Sequence, residues 1–183
     1  MNAPIEIPTS SRLRFRLMDE GDADLLFELD QDPDVMRFMT GGKPTPRDEI
    51  ENYFVPRMLD FTDPVAGTGI WAAIEKDSDE FLGWILVREY GFGNDYLEPD
   101  NLELGWRFKR HCWGKGIATE AAGAVLEALK QRTDIRRFCA IADRENVAST
   151  RVMEKLGMQF GKATVHVTPK GNFDVDYYDM PVG

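Results

Sequence analysis

A stretch with two glycines brings together residue types that can hold a phosphate. From Arg110 to Ala121 the chain reads Arg-His-Cys-Trp-Gly-Lys-Gly-Ile-Ala-Thr-Glu-Ala. The stretch follows an alternating apolar run, Leu102 to Phe108, and opens a long helical pattern, which predicts a strand, a glycine loop and a helix N-terminus. Glycine lets the backbone turn sharply and present its N–H groups, and the helix N-terminus adds the positive end of a dipole. The stretch therefore predicts a site for a diphosphate-bearing cofactor.

Two other phosphate-binding motifs fit this spacing less well. A P-loop requires G-x-x-x-x-G-K-[ST], whereas Gly114-Lys115-Gly116 has a different spacing and no following hydroxyl. A dinucleotide fold requires G-x-G-x-x-G/A, but the third position here is Thr119. Its acidic ribose partner would fall about 20 residues further on, and Asp143 comes later than that. A dinucleotide-dependent oxidoreductase stays open only as the less favoured alternative.

The elements around the loop predict a mixed α/β architecture. Residues 70–75 and 81–88 are strand-like runs joined by a polar turn, a pattern that predicts an antiparallel hairpin. Residues 117–129 repeat apolar side chains at helical spacing, with a face broad enough to cover a sheet. A buried strand, a second helix and a final hairpin follow, over residues 137–142, 146–157 and 165–177. One strand-helix-strand crossover among hairpins predicts a mixed sheet with helices on its faces.

Two segments carry breaks in their patterns. Thr45 before Pro46 predicts a helix N-cap, and Pro56 inside the same helical pattern predicts a kink or an end. Residues 89–100 combine glycines, acidic residues and aromatic residues without a period, which predicts a long irregular loop.

Length and composition limit the possible functions. A chain of 183 residues, 43% hydrophobic and 30% charged, predicts one soluble domain over 1–183, with 1–10 as a loose N-terminal segment. No run is apolar enough to cross a bilayer and no signal peptide is evident, so we expect a cytoplasmic protein without a membrane partner. The net charge of -10 argues against a nucleic-acid partner. Only Cys112 and Cys139 occur, without a cysteine or histidine cluster, so neither a disulfide framework nor a metal site is predicted.

At two places the sequence resembles the GNAT N-acetyltransferase superfamily. The run His111-Cys112-Trp113-Gly114-Lys115-Gly116 matches the glycines of Gln/Arg-x-x-Gly-x-Gly/Ala, the acyl-CoA pyrophosphate loop of that family. Residues 113–121 and 146–158 are similar to the branch with RimJ/RimL-type ribosomal-protein acetyltransferases, whose second cofactor segment is Asn-x-x-Ser leading to Lys-Leu-Gly-Phe. The resemblance covers nearly the whole chain from Leu13 onward and is most specific in its second half.

The resemblance implies a fold and a cosubstrate. The fold is a twisted, mixed and mostly antiparallel sheet flanked by helices, with a splayed parallel strand pair at the cofactor cleft. Acetyl-CoA would lie there, with its pyrophosphate on the backbone of the glycine loop, its pantetheine arm along the strand before the loop, and its thiol near the second segment. The cofactor-binding residues implied are Phe108, Arg110, His111, Trp113, Gly114, Lys115, Gly116, Ile117, Ala118, Asn146 and Ser149.

Acetyl transfer to an amine requires a base, because only the neutral nitrogen has a lone pair for attack. Glu103 alternates with the large apolar residues of its strand, and the branch that this chain resembles often has Glu at the equivalent position. Glu103 is therefore the predicted base, directly or through water, and an ion pair with Arg107 is its alternative role. Ser149 is predicted to stabilise the departing thiolate by a hydrogen bond.

Three residues near these motifs depart from the family pattern or have more than one interpretation. His111 stands where many members have Arg or Gln, so Arg110 or Lys115 would have to supply side-chain contacts to the pyrophosphate. Many members protonate the thiolate with a Tyr at the position of Met153, so the general acid is unassigned. Cys112 has no paired base in the sequence and is interpreted as a packing thiol rather than an acyl-cysteine nucleophile.

The predicted function is transfer of the acetyl group of acetyl-CoA to a primary amine, by direct attack in a ternary complex. A protein N-terminus and small amines are both open as acceptors. The alternative in which the protein is not an enzyme is a noncatalytic regulatory protein that binds acyl-CoA. The predicted oligomeric state is a monomer or a homodimer.

Overall fold

Seven strands form a mixed sheet in the computed structural model, which describes residues 3–183. In chain order the strands are β1 (Leu13–Leu17), β2 (Gly69–Glu75), β3 (Phe81–Tyr90), β4 (Glu98–Phe108), β5 (Arg137–Asp143), β6 (Gln159–Thr168) and β7 (Gly171–Pro181). Their hydrogen-bonded order is β1-β2-β3-β4-β5-β7-β6. Strands β4 and β5 are parallel, whereas β1–β2, β2–β3, β5–β7 and β6–β7 are antiparallel. Both predicted hairpins are thus confirmed.

Helices flank the sheet, which confirms the predicted fold class. They are α1 (Ala23–Leu29), α2 (Arg37–Thr40), α3 (Arg47–Glu49), α4 (Val55–Asp60), α5 (Ile117–Leu129) and α6 (Val147–Lys155). Short 3-10 turns span Glu20–Asp22 and Arg110–Cys112. No helix within residues 3–183 is long and apolar enough to cross a membrane.

The chain divides into two compact units. The first contains the residues up to Val87 together with Trp106–Gln131, and the second contains Arg88–Gly105 with Arg132–Gly183. The expectation of one domain over 1–183 stays a prediction. In the first unit, helices α1 and α4 pack their apolar stripes against strand β2. The buried residues of this core are Met18, Leu26, Leu29, Ile50, Val55, Met58, Ile70, Ala72, Ile74, Phe81 and Trp84.

The N-terminal segment before β1 makes specific contacts in the first unit. Residues 3–10 have no helix or strand, but Ile7 is buried and the Ile5 N–H donates to the Pro64 carbonyl oxygen at 2.8 Å. The predicted loose segment also included residues 1 and 2, which lie outside the described residues.

The helical segment from α3 to α4 differs from its prediction at both prolines. Pro46 is the N-cap residue, and the hydroxyl of Thr45 instead donates to Asp30 Oδ2 at 2.7 Å. Pro56 does not end the helix, because a π turn over Ile50–Phe54 precedes it and α4 continues past it. A π turn widens the helix locally, which gives the proline ring room where an α-helical carbonyl would clash.

The second unit is built on strands β5, β7 and β6. Its small core contains Tyr90, Cys139 and Tyr177, with Ile141 packed against it. The prediction of an irregular loop over 89–100 was too long. Strand β3 continues to Tyr90 and β4 begins at Glu98, so only residues 91–97 are irregular.

Candidate functional site

The glycine loop lies between β4 and α5, as the sequence predicts. After the 3-10 turn, Gly114 and Gly116 both have left-handed backbone conformations, with φ of +70° and +76°. A Cβ at Gly114 would meet no atom within 4 Å, and one at Gly116 would lie 3.7 Å from Arg12 Nη2. Backbone conformation, rather than lack of space, is therefore what favours glycine at both positions.

The N-terminus of α5 presents unpaired backbone donors. Gly116 is its N-cap residue, no side chain among the described residues caps it, and the first helical hydrogen bond runs from Glu120 N to Gly116 O. The N–H groups of residues 117–119 are thus left without a partner in the helix. Together with the dipole of a thirteen-residue helix, they form a site suited to an anion such as a pyrophosphate.

Two side chains fix the start of the loop. Trp113 donates from Nε1 to the Phe108 carbonyl oxygen at 3.0 Å, while 48% of the residue stays exposed. Cys112 is buried, with its Sγ 3.9 Å from the Leu82 carbonyl oxygen. Burial raises the pKa of Cys112 to about 11, so its thiol is protonated near neutral pH. These contacts favour the packing interpretation of Cys112 over the nucleophile interpretation.

The segment before β1 contacts both the glycine loop and the first turn of α5 through hydrogen bonds. Glu120, in the first turn of α5, accepts hydrogen bonds from Ser10 Oγ at 2.6 Å and from Arg12 Nε at 2.6 Å. Arg12 also donates from Nη1 to the Lys115 carbonyl oxygen at 3.0 Å. Burial would raise the pKa of Glu120, but the bonds from Ser10 and Arg12 outweigh it, and the pKa lies below its usual value.

The basic side chains at the start of the loop are paired with acidic residues. Arg110 contacts Asp32 at 3.2 Å and Asp34 at 2.9 Å, and His111 Nε2 lies 3.5 Å from Glu80 Oε1. A side-chain contact from Arg110 to a pyrophosphate would require this pairing to be broken. Lys115 is exposed, and its side chain has no ion pair within residues 3–183.

Glu103 lies in the second unit, buried in β4 with only 5% of the residue exposed. Arg88 binds it through two hydrogen bonds, from Nε to Oε2 at 3.0 Å and from Nη2 to Oε1 at 3.1 Å. Burial would lower the pKa of Arg88, but the carboxylate of Glu103 outweighs it and raises the pKa, so the pair is ionic. The alternative role considered for Glu103, an ion pair with Arg107, names the wrong partner. Arg107 pairs with Asp30 instead.

Arg88 is a candidate site residue that the sequence analysis missed. Residues four apart in a strand, such as Glu103 and Arg107, share a face but lie about 13 Å apart along it, whereas residues on neighbouring strands approach more closely. One feature of the sequence could have indicated Arg88. It is a charged residue directly after the apolar run Phe81–Val87, and the strand continues past it to Tyr90.

The parallel ladder between β4 and β5 is short. It joins Asn101, Leu102 and Glu103 to Arg137, Phe138 and Cys139, although β4 continues to Phe108 and β5 to Asp143. Glu103 is therefore the last β4 residue paired in this ladder. Opposite it, burial and the nearby carboxylate of Glu103 raise the pKa of the Cys139 thiol well above its usual range.

Asn146 and Ser149 meet at the start of α6 in the second unit. Asn146 is the N-cap residue, and its Oδ1 accepts a hydrogen bond from the Ser149 N–H at 3.2 Å. The Asn146 amide nitrogen and the Ser149 hydroxyl can both still donate, which is the chemistry expected of them. Met153 is buried on the same helix, and its thioether has no proton to give to a thiolate.

The predicted site residues are divided between the two units. Residues 108–118 belong to the first unit, and Glu103, Asn146 and Ser149 belong to the second. No group of three or more His, Cys, Asp or Glu residues able to hold a metal ion occurs within residues 3–183.

Comparison with known proteins identifies related sequences over most of the chain. The sequence model of the family described as "Acetyltransferase (GNAT) domain" matches residues 12–159. The uncharacterized protein YkkB of Bacillus subtilis (strain 168) is 33% identical over 163 residues, which cover 88% of this chain and 90% of YkkB. The uncharacterized N-acetyltransferase YnaD of the same organism is 30% identical over 174 residues, 93% of this chain and 94% of YnaD.

Solved structures share the fold. A GNAT-family acetyltransferase from Bacillus anthracis is 26% identical, with a TM-score of 0.73, and the match covers 95% of this chain and 97% of that one. RimL, a ribosomal L7/L12 alpha-N-protein acetyltransferase in complex with coenzyme A, has a TM-score of 0.74 at 17% identity, covering 96% and 97%. The aminoglycoside acetyltransferase AAC(6')-Ib in complex with coenzyme A has a TM-score of 0.73 at 18% identity, covering 92% and 94%.

Proposed function

Because the chain belongs to the GNAT family of acetyl-CoA-dependent N-acetyltransferases, we propose that it moves the acetyl group of acetyl-CoA to a primary amine by direct attack in a ternary complex. The observation that carries the proposal is the start of α5, which lies inside the matched region. Two left-handed glycines there lead into a helix whose first N–H groups have no side-chain cap. Such an end can hold a pyrophosphate without the help of a cationic side chain.

In the proposed complex, backbone N–H groups from Trp113 to Ala118 hold the pyrophosphate, with His111 beside them, and the backbone of Phe108 and Arg110 aligns the pantetheine arm. Asn146 and Ser149 contact the pantetheine or the thiol. The geometry of Asn146 supports this role, because its capping bond uses Oδ1 and leaves the amide N–H groups able to donate.

Glu103 is the proposed base. It takes a proton from the acceptor ammonium, directly or through one water, and so frees the lone pair that attacks the acetyl carbon. Each of its oxygens accepts one hydrogen bond from Arg88 and retains the capacity to accept another. The C–S bond then breaks, and Ser149 stabilises the departing thiolate. The thiolate takes its proton from solvent or from a group that stays unassigned, since Met153 has none.

The acceptor class is the finer part of the proposal. We place the chain with the RimJ/RimL branch on its residues 113–121 and 146–158, which favours a protein N-terminus as acceptor. RimL acts on a ribosomal protein N-terminus, whereas AAC(6')-Ib acts on aminoglycosides, so the shared fold is compatible with either class. A cytoplasmic location, and a monomer or homodimer, likewise stay predictions.

Two measurements test the proposal. Calorimetry should detect binding of acetyl-CoA and no binding of a nicotinamide dinucleotide. Release of the coenzyme A thiol should then depend on an acceptor, in a screen over peptides, amino acids, polyamines and aminoglycosides. The variant Gly116→Val is the matched control, because a β-branched residue is strained at a φ of +76° and should weaken acetyl-CoA binding. Binding without thiol release from any acceptor would instead support the noncatalytic acyl-CoA-binding alternative.

A further inference from the structure

The guanidinium of Arg88 has a nitrogen that the ion pair with Glu103 does not use. Nε and Nη2 bind the carboxylate, and Nη1 makes no hydrogen bond within residues 3–183. The Arg88 side chain is only 14% exposed. Within residues 3–183, the fully buried side-chain polar atoms without a hydrogen bond are Trp84 Nε1 and Asn101 Oδ1, so Nη1 retains contact with solvent. A largely buried arginine therefore presents one polar edge beside a carboxylate.

Two aromatic side chains, Tyr90 and Tyr96, belong to the same unit as Arg88. Tyr96, in the irregular loop 91–97, packs on Tyr90 with ring centroids 5.8 Å apart and is 43% exposed. Its hydroxyl is within electrostatic reach of Arg88. The carboxylate, the guanidinium edge and the exposed ring of Tyr96 all belong to the second unit.

A carboxylate beside a guanidinium complements a particular class of amine. The carboxylate of Glu103 attracts the ammonium of the acceptor. The guanidinium of Arg88 donates a hydrogen bond to an oxygen on the carbon bonded to the acceptor's amine-bearing carbon. That oxygen belongs to the carboxylate of a free α-amino acid or to the first carbonyl of a peptide. A polyamine offers no such oxygen. The Arg88–Glu103 pair itself carries no net charge, so the pair alone does not favour a polycation over an α-amino acid or a peptide.

We propose that Arg88 selects acceptors whose reacting amine lies on a carbon bonded to a carboxylate or carbonyl group. Such acceptors are α-amino acids and peptide N-termini. This inference rests on the proposed function. Arg88 keeps its proton throughout, while Glu103 accepts the proton of the ammonium, the nitrogen bonds to the acetyl carbon and the thiolate leaves. Arg88 thus determines specificity and positions the acceptor.

Matched acceptors test the proposal with the wild-type protein. Thiol release is measured with phenylalanine, phenylalaninamide and phenethylamine, and with the corresponding alanine and lysine sets. One charge-assisted hydrogen bond predicts a kcat/KM about ten- to a hundredfold higher for the amino acid or its amide than for the decarboxylated amine. A faster free acid identifies a free amino acid as the acceptor, and an equal or faster amide identifies a peptide N-terminus. A decarboxylated amine that is equally good or better in every set overturns the proposal.

Two variants separate specificity from folding. Arg88→Met should bring the ratio between phenylalanine or its amide and phenethylamine close to one and leave the KM for acetyl-CoA unchanged, whereas Arg88→Lys should retain part of the preference. Arg136→Met is the matched control, because Arg136 lies in the same unit with its side chain 86% exposed. If Arg88→Met does not fold, the wild-type ratios still test the acceptor preference and Arg88→Lys tests the role of Arg88. Thiol release from no acceptor at all would overturn the proposed function itself, whereas turnover without the preference overturns only the role of Arg88.

Discussion

Glu103 and Arg88 illustrate how one buried pair can carry both structure and chemistry. A buried carboxylate that keeps a bidentate guanidinium partner is held in one orientation, because both hydrogen bonds must be satisfied together. Removing one member leaves the other buried and charged, at a cost that can exceed the value of the pair. Tests of chemistry at this pair therefore need a neutral variant of the same shape.

Glu103→Gln is that variant. If Glu103 is the base, kcat near neutral pH should fall by a factor of about 10² to 10⁴, since an amide cannot accept the proton. The KM for acetyl-CoA should stay nearly unchanged, because Glu103 has no proposed contact with it. Steady-state thiol release at saturating acceptor measures both constants.

Asp174→Asn provides the control for this prediction, because it neutralises an exposed carboxylate in the same unit. It should keep wild-type turnover. Thermal unfolding of both variants shows whether any loss of activity reflects loss of structure. Wild-type turnover in a folded Glu103→Gln protein would remove Glu103 as the base.

At the scale of elements, the bracing of α5 by the N-terminal segment should depend on pH. The pKa of Glu120 is below its ordinary value of about 4.3 in the folded protein. Its ionised form therefore stabilises the fold above that ordinary value, and the contribution is lost as the pH falls through the folded pKa. Glu120→Gln should thus lower the free energy of unfolding by about 1 kcal/mol at pH 7, a modest figure because Arg12 is partly exposed.

The difference between Glu120→Gln and the wild type should shrink as the pH is lowered below about 4. Urea unfolding at a series of pH values measures it. Glu127→Gln changes a mostly exposed carboxylate on the same helix, whose partner in the described part of the chain is Lys130 at i+3, and should have little effect at any pH. If the difference in free energy of unfolding stays constant down to pH 2, the hydrogen-bonding and packing of the side chain, rather than its charge, explain the role of Glu120.

The elements also show what the sequence could predict. The loop, α5 and the start of α6 were predicted well because their signals are local: glycines that require a left-handed φ, a helical period and an Asn cap. The partner of Glu103 was not predictable in this way, because Arg88 lies on another strand and its pairing depends on register. The same is true of Asp30, which binds both Thr45 and Arg107 from positions distant in the chain.

The prediction that Pro56 would kink or end the helix failed for a different physical reason. A proline inside a helical pattern normally ends or kinks an α-helix, and the rule assumes α-helical carbonyl spacing. The π turn before Pro56 changes that spacing, and nothing in the local composition announces it. Boundaries of the strands beside loop 91–97 were missed because tertiary pairing extends strands into residues of mixed composition.

For the whole molecule, the balance of charge limits how the proposed cosubstrate can be bound. The chain carries a net charge of -10, and the proposed cosubstrate is itself an anion. The overall field therefore does not attract it. In the proposed complex, affinity comes from local groups, the N–H donors at the start of α5, whose effect is confined to the first turn of the helix. The proposal therefore predicts that the backbone conformation at Gly114 and Gly116 matters more for this affinity than nearby cations.

Stability of the whole chain should report this local binding. A ligand bound only to the folded state at about 100 times its dissociation constant adds about 2.7 kcal/mol. For a chain of this size, each kcal/mol shifts the melting temperature by about 2–4 °C, so coenzyme A should raise it by about 5–10 °C. Differential scanning fluorimetry with coenzyme A and with a nicotinamide dinucleotide measures the effect, and only coenzyme A should produce it.

The Gly116 variants connect that shift to the loop. Gly116→Asn should retain much of it, because Asn tolerates the left-handed region, whereas Gly116→Val should lose it along with about 1–2 kcal/mol of stability. Neither side chain meets a neighbour closer than ordinary contact at Cβ, so the contrast isolates backbone conformation from crowding. If Gly116→Val shows the full shift, coenzyme A is not held by the N–H groups that this left-handed turn presents.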